Sequence, residues 1–348
     1  MERMSDPRLG EWTAGKAITV PLASIETELC ALWRTVAAAP GSDKAAVTRA
    51  CQWNLIVRVP NAEELGRAKR IIDLLAAAVP SRVLLMGTYS DEPAAPIEST
   101  IEANWQGGAG KEAQIGSEEV TLVARGAAID EMPQLSRALT VPDVPTAALW
   151  LGRGPTWQSA LDRELCAAAD RLIFDTDATD NAGEARSFLQ RRRAGAASTD
   201  LAWLRGARAR SLVATLFDPP STPGDAKTVT RVEIVCRPDR LGSAYRLQGW
   251  LWHRLGGQAA MTVHPSGDAR DPFESVVLEC EAGRYALTFH EGAVVSETPS
   301  LAWKEPWRAA SEAELWIAAL GPAGRDPLYA ATMRPVETLP DLALAPGM

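Results

Sequence analysis

The chain has 348 residues, 46% hydrophobic and 23% charged, which suits two buried cores better than one. Its 36 Lys and Arg against 44 Asp and Glu give a net charge of −8, so no general attraction to nucleic acid or anionic lipid exists and neither is expected as a partner. The opening "MERMSDPRLGEWTAGK" lacks the apolar core of a signal peptide and no apolar run reaches roughly 18 residues, so a cytoplasmic protein is expected.

Ile25, Leu29, Leu32, Trp33 and Val36 recur at helical spacing behind Ser24, which predicts an amphipathic first helix. "CQWNLIVRV" reads as a strand. Asn61 then caps a helix in which Leu65, Ala68, Ile72, Leu75 and Val79 share a face, stopped by Pro80. "SRVLLMGTYS", "IESTIEANWQ" and "EEVTLVARG" are strand candidates in a partly antiparallel sheet, with "GGAGKEAQIG" as the turn before the last. A helix over "IDEMPQLSRALT" and the stiff "VPDVP" lead to an apolar run at 147–151, the pattern of a strand covered on both faces.

That run opens "AALWLGRGPTWQSALDRELCAAADRLIFDTD", which reads partly like a dinucleotide-binding strand–turn–helix–strand unit. Gly152 and Gly154 supply the turn and the close approach, and Asp175 stands where a ribose-binding acid belongs. Trp157 occupies the third glycine's place and shares a face with Leu161, Leu165 and Ala168, while Pro155 removes one N–H that would cradle an anion. A structural turn is the better reading, and a nucleotide- or sugar-phosphate-binding site using Gly152, Gly154 and Asp175 is the alternative.

Further on, "EARSFLQRRRAG" predicts a short basic helix whose Arg191, Arg192 and Arg193 complement its C-terminal dipole. "DLAWLRGARARSLVATLFDPP" predicts a helix capped by Asp200, with Arg208 near the apolar stripe and paired to Asp175 or Asp177. "STPGDAK" is a loop, "TVTRVEIVCRP" a strand, and Ser243 caps a helix containing Leu247, Trp250, Leu251 and Leu255, closed by Gly256 and Gly257. A meander of short strands follows, then a helix over "SEAELWIAALG" and a loose tail. The fold expected is α/β with two domains, each a mixed β-sheet packed with helices: an N-terminal tail at 1–20, domains at 21–155 and 156–338, and a C-terminal tail at 339–348.

The five cysteines are scattered and the three histidines have no partner at metal-ligand spacing, so most thiols are expected to be buried and no metal or cofactor is expected. No G-x-S-x-G is present, and His264 in "HPSGD" lacks a triad context. No catalytic residue is assigned. Twelve tryptophans against five phenylalanines is an unusual balance, and Trp203 and Trp105 are the candidates for exposed, partner-facing indoles.

Ordered blocks from 25 to 257 resemble the OpcA family, the glucose-6-phosphate dehydrogenase assembly proteins. They are "IETELCALWR", "VTRACQWNLIVRV", "VPSRVLLM", "PDVPTAALWLGRGP", "ADRLIFDTD", "DLAWLRGARARSLVATLFD" and "GWLWHRLGG". The resemblance implies a non-catalytic partner that binds glucose-6-phosphate dehydrogenase and promotes its oligomeric assembly and allosteric activation in the oxidative pentose phosphate pathway. Partner binding is expected around Arg153, Trp203, Arg205 and Arg210, where the Gly152 loop and the Asp200 helix could meet, and self-association is left open. In the "DL.W.RL..WR" block Asp200, Trp203, Arg205 and Arg210 match, whereas Gly206 and Ala209 replace Leu and Trp. No cysteine follows Cys280, so redox control through C-terminal thiols is not implied.

Overall fold

The computed structural model describes residues 12–14, 17–37, 46–49, 51–106, 113–152, 159–178, 197–218, 225–267, 271–321 and 326–338. The chain divides into two units, Met1–Phe174 with Arg193–Ser198, and Asp175–Arg192 with Thr199–Met348. This division falls beyond the 155/156 boundary expected from sequence, because the strand ending at Phe174 pairs in parallel within the first sheet.

In chain order the first unit contains β1 (Trp12–Ala14), β2 (Ile18–Thr19), α1 (Ile25–Ala37), β3 (Ala46–Arg49), β4 (Trp53–Val59), α2 (Glu63–Ala78) and β5 (Ser81–Tyr89). There follow β6 (Ala95–Gln106), β7 (Ala113–Arg125), α3 (Met132–Leu139), β8 (Thr146–Trp150), α4 (Ala160–Ala168), β9 (Arg171–Phe174) and the start of β10 (Ala197–Asp200), whose last two residues belong to the second unit. The sheet runs β1-β6-β7-β5-β4-β8-β9-β10, with β2 also on β6 and β3 on β7. Its centre is parallel, β7-β5-β4-β8-β9, with α2, α3 and α4 as helical connections, while β6 links β5 to β7 and is antiparallel on β7.

Helices on both faces explain why β5 is buried along its whole length and why 147–151 is apolar throughout. β7 starts at Ala113, earlier than the sequence suggests, so part of the expected turn is ladder, with Ala113–Gly116 pairing on β3 and Ile115–Arg125 on β6 or β5. The Asn61 carboxamide accepts the Glu64 N–H at 3.0 Å, as a cap should. Asn54, fully buried, ties down the "VPDVP" entry by accepting from the Val141 N–H and donating to the Val141 and Val144 carbonyls. Asp143 there holds a positive φ of 62°.

The second unit contains α5 (Leu201–Arg205), α6 (Ala207–Thr215), β11 (Val229–Cys236), α7 (Leu241–Arg254), β12 (Ala260–Pro265) and β13 (Phe273–Cys280). It continues with β14 (Gly283–His290), β15 (Ala293–Glu297), β16 (Ala302–Pro306), α8 (Glu312–Ala319) and α9 (Pro327–Thr338). The sheet order is β12-β11-β13-β14-β15-β16. Only the β11–β12 pair is parallel, as its α7 crossover requires, and the rest is the expected antiparallel meander. Val232, Ile234, Val276, Leu278, Tyr285, Leu287 and Phe289 form the buried face, while Val235, Val277 and Val295 on the other face stay half-buried.

Helix α8 starts at a full capping box between Ser311 and Glu314, and Gly256 and Gly257 close α7 at φ of +72° and +76°. Of the cysteines only Cys166 and Cys236 are buried; Cys30 is exposed and Cys51 and Cys280 are intermediate, which corrects the expectation that most are inside. The predicted basic helix at 184–195 and the C-terminal tail lie outside the described residues.

Candidate functional site

The "DTD" at 175–177 and the "DLAWLRGARAR" block come together in the second unit. Asp200 closes β10 and caps α5, its Oδ1 accepting the Ala202 N–H at 3.0 Å and the Thr176 N–H at 3.1 Å. Its Oδ2 accepts from the Thr176 hydroxyl at 2.9 Å and from Arg246 Nε on α7 at 2.6 Å. One carboxylate thus ties a 3-10 turn over Thr176–Ala178 to two helices.

A second lock lies beside it. Arg205, the last residue of α5, donates to both Asp175 oxygens, at 3.2 and 2.8 Å, and to Asp177 Oδ2. Asp177 in turn accepts the Ser243 N–H at 2.7 Å and the Ser243 hydroxyl at 2.6 Å in the first turn of α7. A protein carboxylate therefore occupies the position at this helix start where a bound anion would sit. Burial and then the Asp175 charge push the Asp177 carboxyl up to about 6, against Arg205 and the Ser243 hydrogen bonds. Burial works to lower the Arg205 pKa, but its hydrogen bonds to Asp175 and the charges of Asp175, Asp177 and Asp200 raise it above the ordinary value.

Several sequence expectations are corrected here. The acids pair with Arg205, not Arg208, because "DLAWLRGARAR" forms two short helices. Gly206 ends α5 and precedes α6, so the faces of the two do not run on as one stripe. Arg208 instead donates to the Pro306 carbonyl and stands 5.3 Å over the Trp307 ring. Ser243 is not the cap of α7. A 3-10 turn over Pro238–Arg240 feeds into a helix that begins at Leu241, which puts Ser243 inside the first turn.

Trp203 is not exposed: it is 3% accessible, with its indole N–H donating to Asp326 Oδ2 at 2.9 Å and its ring 5.5 Å from that of Tyr329. The Arg210 guanidinium lies 3.3 Å over the same indole and donates to the Trp203 carbonyl at 2.7 Å. Trp105 has a backbone place in β6 opposite Gly116, but its side chain lies outside the described residues, as do Arg153, Gly154, Pro155 and Trp157.

Gly152 belongs to the first unit, just past β8, and holds φ at +83°. Among the described residues, its chain neighbours aside, Pro60 Cγ at 3.8 Å is the one atom near the position a Cβ would take. Gly152→Ala is therefore expected to cost about 1 kcal/mol through backbone strain alone, read as a small shift in the denaturation midpoint. Below that turn Asp162, fully buried in α4, accepts from Trp150 Nε1 at 3.0 Å and lies 3.2 Å from Arg58 Nε. Asp175, the acid assigned to a ribose in the alternative reading, has both oxygens engaged by Arg205.

Sequence reasoning singles out Asp175, Asp177, Asp200, Arg205 and Arg210, gives the acids to Arg208 and Ser243 the role of a cap, and misses Arg246 as a member of the lock. The "GS" before "AYRLQGWLW" is the available signal, since a helix start rich in small residues admits a carboxylate from another element. Among the described residues no group of three or more His, Cys, Asp or Glu side chains could hold a metal ion, and no helix is long and apolar enough to cross a membrane.

Comparison with known families gives two adjacent matches. Residues 72–194 match the N-terminal domain of the glucose-6-phosphate dehydrogenase subunit family, and residues 196–333 match the C-terminal domain of the same family. The cluster of Asp200, Arg205, Arg210 and Arg246 falls within the second match. No curated protein matches the chain significantly. The two family matches, in order and together spanning most of the chain, make this protein a member of the OpcA family of glucose-6-phosphate dehydrogenase assembly proteins.

Proposed function

We propose that this chain is a non-catalytic partner that docks on glucose-6-phosphate dehydrogenase and raises its activity by binding the active oligomer more tightly than the inactive one. The observation that carries the reading is the pair of consecutive family matches across 72–333. The energetics need only differential affinity. Each tenfold preference for the active oligomer shifts that equilibrium by about 1.4 kcal/mol, and the dehydrogenase must in return tighten the chain's own binding by the same factor.

The acids and arginines that line the Asp200 and Arg205 locks bind one another, which suits a rigid presenting surface. In this reading Trp203, Arg205 and Arg210 of the second unit belong to the partner-binding region, with Trp203 and Arg205 holding the helices in place, and Arg153 of the first unit is a separate candidate contact. The complex is placed in the cytoplasm, and the net charge of −8 gives no pull toward nucleic acid or anionic lipid. The test is a titration of the purified protein into the dehydrogenase from the same organism, followed by activity and by mass. A larger complex with raised activity at micromolar concentration is expected. Unchanged mass and activity would overturn the proposal.

A further inference from the structure

Three largely buried arginines lie on α5, α6 and α7, and they are not alike. Arg205 holds Asp175 and Asp177, and Arg246 holds Asp200. Arg210, on α6 and 8% exposed, pairs with no acid among the described residues. Among the described residues its one hydrogen bond runs from Nη1 to the Trp203 carbonyl, and its guanidinium rests on the Trp203 indole. Asp326 is the nearby acid, but Oδ1 takes the Leu328 and Tyr329 N–H groups at the start of α9 and Oδ2 takes the Trp203 indole N–H. Burial lowers the Arg210 pKa to about 10, with only Asp326 opposing.

An arginine kept inside without a counter-ion is costly, and such groups collect at sites that receive a ligand. Nε and Nη2 of Arg210 have no hydrogen-bond partner among the described residues, and the residue keeps 8% of its surface exposed. The indole fixes the guanidinium plane from behind and the Trp203 carbonyl fixes its rotation. What remains is a preorganised two-nitrogen edge of the kind that takes a carboxylate in bidentate fashion.

We propose that Arg210 is a socket for one carboxylate side chain of the partner protein, received on Nε and Nη2. A singly charged carboxylate fits better than a phosphate, because one guanidinium with the Asp326 charge already nearby offers a single compensating charge. This inference rests on the reading of the chain as a dehydrogenase partner. Paired across a dry interface, the contact acts as an arginine hot spot with Trp203 as its floor.

The test compares the wild type with Arg210→Gln, which keeps a donor for the Trp203 carbonyl but removes the charge and the fork. Dehydrogenase affinity is expected to fall at least tenfold while the melting temperature holds or rises, since the free protein loses an uncompensated buried charge. Equal affinity in the variant overturns the socket. Should Arg210→Gln not fold, phenylglyoxal modification of the wild type decides: Arg210 must react in the free protein and be protected in the complex, and equal modification in both refutes the proposal.

Should the wild type not bind the dehydrogenase, the functional reading falls and the socket is judged separately. Acetate, but not chloride at equal ionic strength, must then slow Arg210 modification in a saturable way, and no protection removes the socket as well. Inorganic phosphate protecting at a tenfold lower concentration than acetate overturns the assignment to a carboxylate.

Discussion

Asp200→Ala is expected to destabilise the second unit by about 4 kcal/mol or more. The side chain is fully buried and answers four donors: two backbone N–H groups, the Thr176 hydroxyl and Arg246 Nε. Removing it costs a helix cap, about 1 kcal/mol, and leaves the 4% exposed Arg246 without its charge partner, about 3–5 kcal/mol. Burial already works to lower the Arg246 pKa, and Asp200 is the first charge that holds it up, so the penalty falls on the cation left behind. Adding Arg246→Met to Asp200→Ala should return about 2 kcal/mol, because an apolar side chain of similar length needs no partner. Denaturant unfolding, with hydrogen exchange to locate the loss in α5 and α7, checks both. A single variant within about 1 kcal/mol of the wild type would mean that the lock does not hold the helices.

Element type is legible wherever one periodicity rules a segment. The alternating and fully apolar runs form β4, β5, β8 and β11, and the stripe of Ala68, Ile72 and Leu75 is the buried face of α2. The errors arise where a single residue changes the phase or where a partner lies far along the chain. Gly206 reads as a tolerated glycine inside one helix, yet it breaks the segment in two and hands the acids to Arg205 in place of Arg208. Trp203 reads as exposed because Asp326, which satisfies its N–H, lies far away in sequence. The Gly152 stretch resembles a cofactor fingerprint through its turn glycine and its acid. A strand-to-helix turn needs a positive φ with or without a ligand, and Asp175 belongs to an ion pair. The "GS" of α7 carries a real requirement for small size that pattern reading takes for a cap.

That requirement gives the second large effect, Gly242→Ala. A Cβ at Gly242, in the first turn of α7, would lie 2.6 Å from the Thr176 carbonyl carbon, 2.7 Å from its oxygen and 2.7 Å from its Oγ1. Two of those atoms are backbone, and Thr176 is held on both sides, by its own bonds to Asp200 and by the Asp177 carboxylate bound to Ser243. The turn therefore cannot retreat without opening one lock or the other. Overpacking of this kind costs about 3 kcal/mol, and the helical preference of alanine over glycine returns about 1, so a net loss of about 2 kcal/mol is expected. Gly66→Ala in α2 is the matched control, since among the described residues outside the helix backbone its Cβ meets only Arg70 Nη1, at 3.8 Å. There the propensity gain stands alone, and stability should rise by about 1 kcal/mol. Opposite signs for one substitution at two helical glycines, read as midpoint shifts under the same denaturant, would place the approach of α7 to the Thr176 turn among the constraints that shape this unit. The same sign at both would show that the turn gives way.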